Sequence, residues 1–181
     1  MKPIWTTPLT WLAVVLVAIL LALATPRSTG ALGHLPPLVG KSLADKMLPV
    51  ADSDRPIVAL VSFHRHHRQQ VDSWVEGLAL HQNRSIGWIR MPVINDPGDE
   101  SLRSAMQQRI HARYQVEQER SRLLPVFTDR PAFMQATGLP NTEHAVVLVL
   151  SRNGDVLARL VGPYDEDKGR TVRDLLGLQD L

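Results

Sequence analysis

The chain has 181 residues, enough for one domain of about 150 residues with an appendage. Hydrophobic residues at 44% and charged residues at 21% are those of a globular protein, and a net charge of +2 without any Lys/Arg-rich block excludes a nucleic-acid-binding stripe. Cysteine is absent, which removes structural disulfides, thiolate metal sites and thiol redox chemistry together.

Residues 1–27 read as a membrane anchor or signal peptide. The run Leu9 to Ala24, LTWLAVVLVAILLALA, carries no charge. At 1.5 Å per residue it reaches about 24 Å, and the flanks that extend it to residues 5–25 bring it near a hydrocarbon core of roughly 30 Å. Trp5 and Trp11 are placed as interfacial anchors. Ala22-Leu23-Ala24 also fits a small-residue cleavage site, so two outcomes stand open. One is a single-pass membrane protein with an exported soluble domain, periplasmic if the host is bacterial. The other is a secreted or periplasmic protein cleaved near Ala24. Residues 28–54 read as a linker, broken by Gly30, Gly33, Pro36, Pro37 and Gly40, in which His34 is expected to be solvated.

The domain proper is expected over residues 55–181. An apolar run, Ile57 to Val61, ends at Phe63 and reads as a buried strand. Six polar residues follow, His64-Arg65-His66-His67-Arg68-Gln69, and then Val71, Trp74, Val75 and Leu78 mark the apolar stripe of a helix. Ile86 to Ile94 reads as a second strand, and Asn95-Asp96-Pro97-Gly98 as a turn with Asp99 capping the next helix. In that helix Leu102, Met106, Ile110 and Tyr114 recur along one side, with Arg103, Arg109 and Arg113 assigned to other faces. Leu123 to Phe127 is a short strand, Asp129 caps a brief helix, and Gly138 ends it. Ala145 to Leu150 and Val156 to Val161 are expected to pair as a hairpin through Asn153-Gly154, before a last helix carrying Val172, Leu175 and Leu176.

This order, strand-helix-strand-helix followed by a hairpin and a helix, resembles the thioredoxin fold. AVVLVLSRNGDVLARLVGP with its following helix carries the resemblance most specifically. It implies an α/β, three-layer α/β/α sandwich with a mixed sheet, preceded here by one N-terminal hydrophobic helix. The redox positions do not match. Counted from Phe63, the two cysteines of a thiol active site would fall at Arg68 and Val71, and Asn141-Thr142-Glu143-His144 stand where the fold places its proline. No thiol oxidoreductase or peroxidase activity is expected. More narrowly, the chain is similar to the mitochondrial ATP synthase assembly factor of thioredoxin-like fold. The similarity lies in the redox-inactive loop after Phe63, in IRMPVINDPGDESLRSAMQQRIHARY, and in ATGLPNTEHAVVLVLSRNGDVLARLVGPYDED. It departs at Leu157-Ala158-Arg159, where that family tends to place Ile-Arg-Trp. The resemblance implies a noncatalytic assembly factor or chaperone with a protein client such as an ATP synthase membrane subunit.

Two side-chain groups in the loop carry candidate chemistry. His64, His66 and His67 form a candidate metal site for copper or zinc, with His81 or His144 completing a set. Arg65 and Arg68 oppose a dication there and are instead candidates for contact with a partner or an anion. The plainest expectation has no cofactor and a solvated or protein-contacting basic loop. Trp74 and Trp88 are expected in the core. No GxSxG, Walker A or GxGxxG pattern marks an enzyme site.

Overall fold

A computed structural model describes residues 32–36, 56–114 and 116–178. The segment 5–25, expected to meet a membrane, lies outside the described residues, as does most of the linker. Among the described residues no helix is long and apolar enough to cross a membrane.

The chain runs β1 (Ile57–Ser62), a 3-10 turn (Arg65–His67), α1 (Arg68–Gly77), β2 (Trp88–Asn95), α2 (Glu100–His111), α3 (Glu117–Ser121), β3 (Val126–Thr128), α4 (Arg130–Thr137), β4 (Val146–Leu150), β5 (Val156–Val161) and α5 (Glu166–Leu175). The five strands form one sheet in the order β3-β2-β1-β4-β5. β1, β2 and β3 are parallel, with Val58 opposite Trp88 and Val93 opposite Val126. β4 is antiparallel to both β1 and β5. The expected mixed sheet is therefore present, in thioredoxin-like order.

Period-two alternation sorts the central strands onto two cores. Ile57, Ala59 and Val61 of β1 face one way with Met91, Leu148 and Phe133, beneath α4. Val58 and Leu60 face the other way with Trp74, Trp88, Val147 and Val172, beneath α1 and α5. A central strand buried on both faces needs an unbroken apolar run, which is what Ile57 to Val61 supplies. Both tryptophans are fully buried and keep their indole N–H groups bonded. Trp74 Nε1 donates to the Gly162 carbonyl at 2.9 Å and Trp88 Nε1 to the Leu80 carbonyl at 3.0 Å.

Local signals fix the element ends. Asp99 adopts extended backbone and its carboxylate accepts from the Leu102 N–H at 2.9 Å, the expected N-cap. Asp129 occupies the N-cap position of α4, but its side chain caps nothing; Pro131 in the first turn leaves fewer N–H groups to satisfy. Gly138 ends α4 in left-handed conformation at φ 66°. The β4–β5 connection is longer than the two-residue turn read from Asn153-Gly154. Only Gly154 has positive φ, Gly154 N–H donates to the Ser151 carbonyl, and Ser151 N–H donates to the Asp155 carbonyl. With Asn153 at ordinary φ, the mirror-image turn cannot form, and a bulge type replaces it.

Part of the linker belongs to the sheet edge. Leu32 N–H donates to the Val156 carbonyl at 2.8 Å, Val156 N–H to Gly33 and Leu35 N–H to Gly154. Leu35 enters the core under α4. His34 is exposed, as expected, yet its Nδ1 meets Asp155 at 3.0 Å. Hydrogen bonds from His34 and Ser151 hold the Asp155 carboxyl below the usual carboxylate range. These residues cover β5, an edge that would otherwise offer unpaired backbone groups.

Candidate functional site: a histidine loop beside an arginine-lined cavity

β1 delivers the chain to Phe63 at the carboxyl end of the parallel strands, where open α/β sheets gather polar groups. The turn that follows holds His64, Arg65 and His66 at the surface and drives His67 inward, to 0% exposure. The three imidazoles pack on one another. His64 and His66 stack with centroids 5.2 Å apart, and His67 stands edge-on to His66 at 4.6 Å.

His67 has both ring nitrogens committed to backbone. The Phe63 N–H donates to Nδ1 at 3.3 Å, which places the ring proton on Nε2, and Nε2–H donates to the Glu143 carbonyl at 3.2 Å. Burial first, and then the neighbouring His66, push the His67 pKa below the ordinary histidine value. The ring is thus a neutral bracket between two loops. Gln70 reinforces it: its Oε1 accepts from the Ala145 N–H at 2.8 Å, and its Nε2 lies 3.3 Å from His144 Nδ1. Thr142 Oγ1 and His64 Nε2 are 3.5 Å apart.

This geometry bears directly on the three-histidine metal set. A lone pair on His67 Nδ1 that accepts from Phe63 has none left for a metal, so His64, His66 and His67 are brought together without forming a common donor set. His81 packs against Trp88 beyond the far end of α1, and His144 faces Gln70. Among the described residues, no group of three His, Cys, Asp or Glu side chains is placed to hold a metal ion.

Arg65 and Arg68 open onto a different feature. Beneath α2 lies a cavity of about 470 Å³ lined by Arg65, Arg68, Arg90, Arg109, Arg113 and Arg130. Its apolar lining includes Val71, Val93, Met106 and Ile110. Sequence reading placed Arg109 and Arg113 on faces away from the apolar side of α2, but they share the cavity with Met106 and Ile110. The repeat of Leu102, Met106, Ile110 and Tyr114 rotates about 40° at each step of four, so the stripe winds around the helix. Leu102 is consequently 53% exposed, and α2 buries no residue fully.

Arg90 was missed altogether, although an arginine inside an otherwise apolar strand is a legible signal. It is 6% exposed. Its Nη1 donates to Asp72 at 2.8 Å, and Asp72 also meets Arg68 at 3.5 Å. The guanidinium lies 5.9 Å from the Trp88 centroid and 6.0 Å from that of Tyr114. Its Nε is buried with no acceptor. Arg130 Nη2 donates to the Phe63 carbonyl at 3.0 Å, and its Nε is likewise buried and unpaired.

No family model matches the sequence. No curated protein matches it significantly either. Solved structures do. The solution structure of a thiol:disulfide interchange protein from Bacteroides sp. is similar at 13% identity and TM-score 0.44, over 80% of this chain and 89% of that one. A crystal structure of a proposed electron-transport protein from Aquifex aeolicus VF5 is similar at 14% identity and TM-score 0.51, over 81% and 96%. The reduced form of the N-terminal domain of PilB from N. meningitidis is similar at 19% identity and TM-score 0.45, over 76% and 92%. Such identities speak to fold and leave activity open. Taken with the strand order β3-β2-β1-β4-β5, the likeness to the Aquifex aeolicus structure shows an α/β fold of thioredoxin-like order, in a chain without a single cysteine.

Proposed function

We propose that this is a noncatalytic, redox-inactive, membrane-anchored thioredoxin-like protein that works by binding, as an assembly factor or chaperone for a membrane or envelope protein complex. The observation that carries the reading is the construction of the loop after β1. Where a thiol enzyme keeps a reactive sulfur, this chain keeps a neutral, buried His67 bonded to Phe63 and Glu143, with Gln70 bonded to Ala145. That bracket holds His64, Arg65, His66 and Arg68 outward on a fixed base. A rigid base under exposed cationic and aromatic side chains suits recognition of a protein surface. The client is a protein with an acidic or polar surface beside a membrane, an ATP synthase membrane subunit being the one implied by the sequence resemblance.

The test is isolation of the full-length protein from native membranes in a gentle detergent, with bound proteins and metal quantified on the same sample. A defined membrane or envelope protein at near-stoichiometric amount, without metal, is the expected result. Recovery of the protein alone with about one equivalent of copper or zinc would instead support a histidine-based metal carrier.

A further inference from the structure

The cavity beneath α2 has a composition that client binding does not use. Six arginines line it, and no carboxylate does. Among the described residues Asp72 pairs with Arg90 and Arg68. Arg103, on the same helix as Arg109, shows the contrast: it is tied to Asp96 at 2.8 Å and to Glu100 at 2.6 Å. Among the described residues Arg65, Arg109 and Arg113 have no carboxylate partner. Gathering cations around one concavity raises their mutual repulsion and concentrates positive potential inside it. Arg90, also in the lining, is more than nine-tenths buried, and its Nε–H, itself enclosed, has no acceptor. A guanidinium is the donor best matched to a phosphate's oxygens.

Most of the remaining wall is apolar and includes Val71, Val93, Met106 and Ile110. The volume, about 470 Å³, is in the range that encloses a small organic ligand rather than a bare ion. A carboxylate brings one charge and two oxygens to such a site. A phosphate monoester brings up to two charges and three terminal oxygens, enough to accept from several guanidinium groups at once. We propose that the cavity binds a phosphate monoester carrying an apolar chain, its phosphate among Arg90, Arg109 and Arg113 and its chain against Met106 and Ile110. The proposal shares Arg65 and Arg68 with the client surface, but its experiment needs no client, so the two readings fail separately.

The experiment is calorimetric titration of the full-length protein with n-octyl phosphate, alongside inorganic phosphate, n-octanol and octanoate. One equivalent of n-octyl phosphate is expected to bind, at least tenfold more tightly than any of the other three. Arg109→Ala/Arg113→Ala alters exposed positions, one on a helix that buries nothing fully and one in the turn after it, so the fold is retained while affinity falls about tenfold for each guanidinium removed. Ile110→Glu is expected to weaken binding comparably by placing a negative charge against the ligand. Arg170→Ala, on α5, is expected to bind as the parent does. Equal binding of inorganic phosphate would overturn the amphiphile, and tighter binding of octanoate would overturn the phosphate. No binding of n-octyl phosphate, or binding unchanged in Arg109→Ala/Arg113→Ala, would overturn the site.

Discussion

His67 illustrates how much a single side chain can be asked to do without chemistry. Its Nδ1 must stay unprotonated to accept from Phe63, while its Nε2 proton serves Glu143. Because the folded pKa is lowered, an unfolded chain takes up a proton near pH 6.5 that the folded chain refuses. Stability is thus unaffected well above pH 6.5, falls as pH drops below it, and levels off once the folded ring also protonates. One proton limits the slope to about 1.4 kcal/mol per pH unit. Denaturant melts at pH 7.5 and pH 5.5 should show a larger loss for the parent than for His67→Gln, which cannot titrate. Equal losses would mean that His67 is not the neutral bracket described. Arginine at position 90 follows related logic. It is kept in an apolar strand by Asp72 and by the faces of Trp88 and Tyr114, and sequence alone shows the anomaly without showing those partners.

At the scale of elements, α1 and α5 are joined through one aromatic residue. Tyr164 meets Trp74 edge-on at 5.3 Å, its backbone N–H donates to Ser73 Oγ, and its hydroxyl donates to Glu166. Gly169 makes room for it: a Cβ there would lie 2.5 Å from the Tyr164 oxygen. Helix propensity favours Gly169→Ala by about 1 kcal/mol, whereas overpacking costs about 1–3 kcal/mol. The clash should win, and thermal melts should show net destabilisation. In a Tyr164→Ala background the same change should become neutral or stabilising, since the ring that supplies the three nearest atoms is gone. The central strands were legible in the sequence because burial on both faces demands unbroken apolar runs, and Asp99 and Gly138 were legible because caps are local chemistry. The convergence of Arg90, Arg109, Arg113 and Arg130 was not. It depends on where α2 and α4 stand over the sheet, and α2's winding apolar repeat gives no single face from which to infer it. The short α3, Glu117–Ser121, was also unforeseen, having only polar residues and no period to read.

For the molecule as a whole, the thioredoxin-like sheet brings its polar groups to the carboxyl ends of β1 and β2, as such sheets do, but supplies no thiol there. Histidines were conspicuous in the sequence and arginines were scattered through it. Folding reverses their standing, burying one histidine as a structural tie and collecting six arginines around a cavity. The claim that the outward loop recognises a protein is tested most directly by placing a photo-crosslinking residue at position 66, and separately at position 170 on α5, and irradiating native membranes. The expected result is one defined membrane or envelope protein joined at position 66, absent at position 170 and unaffected by a metal chelator. Adducts equal at the two positions, or one at position 66 that vanishes with chelator, would contradict it.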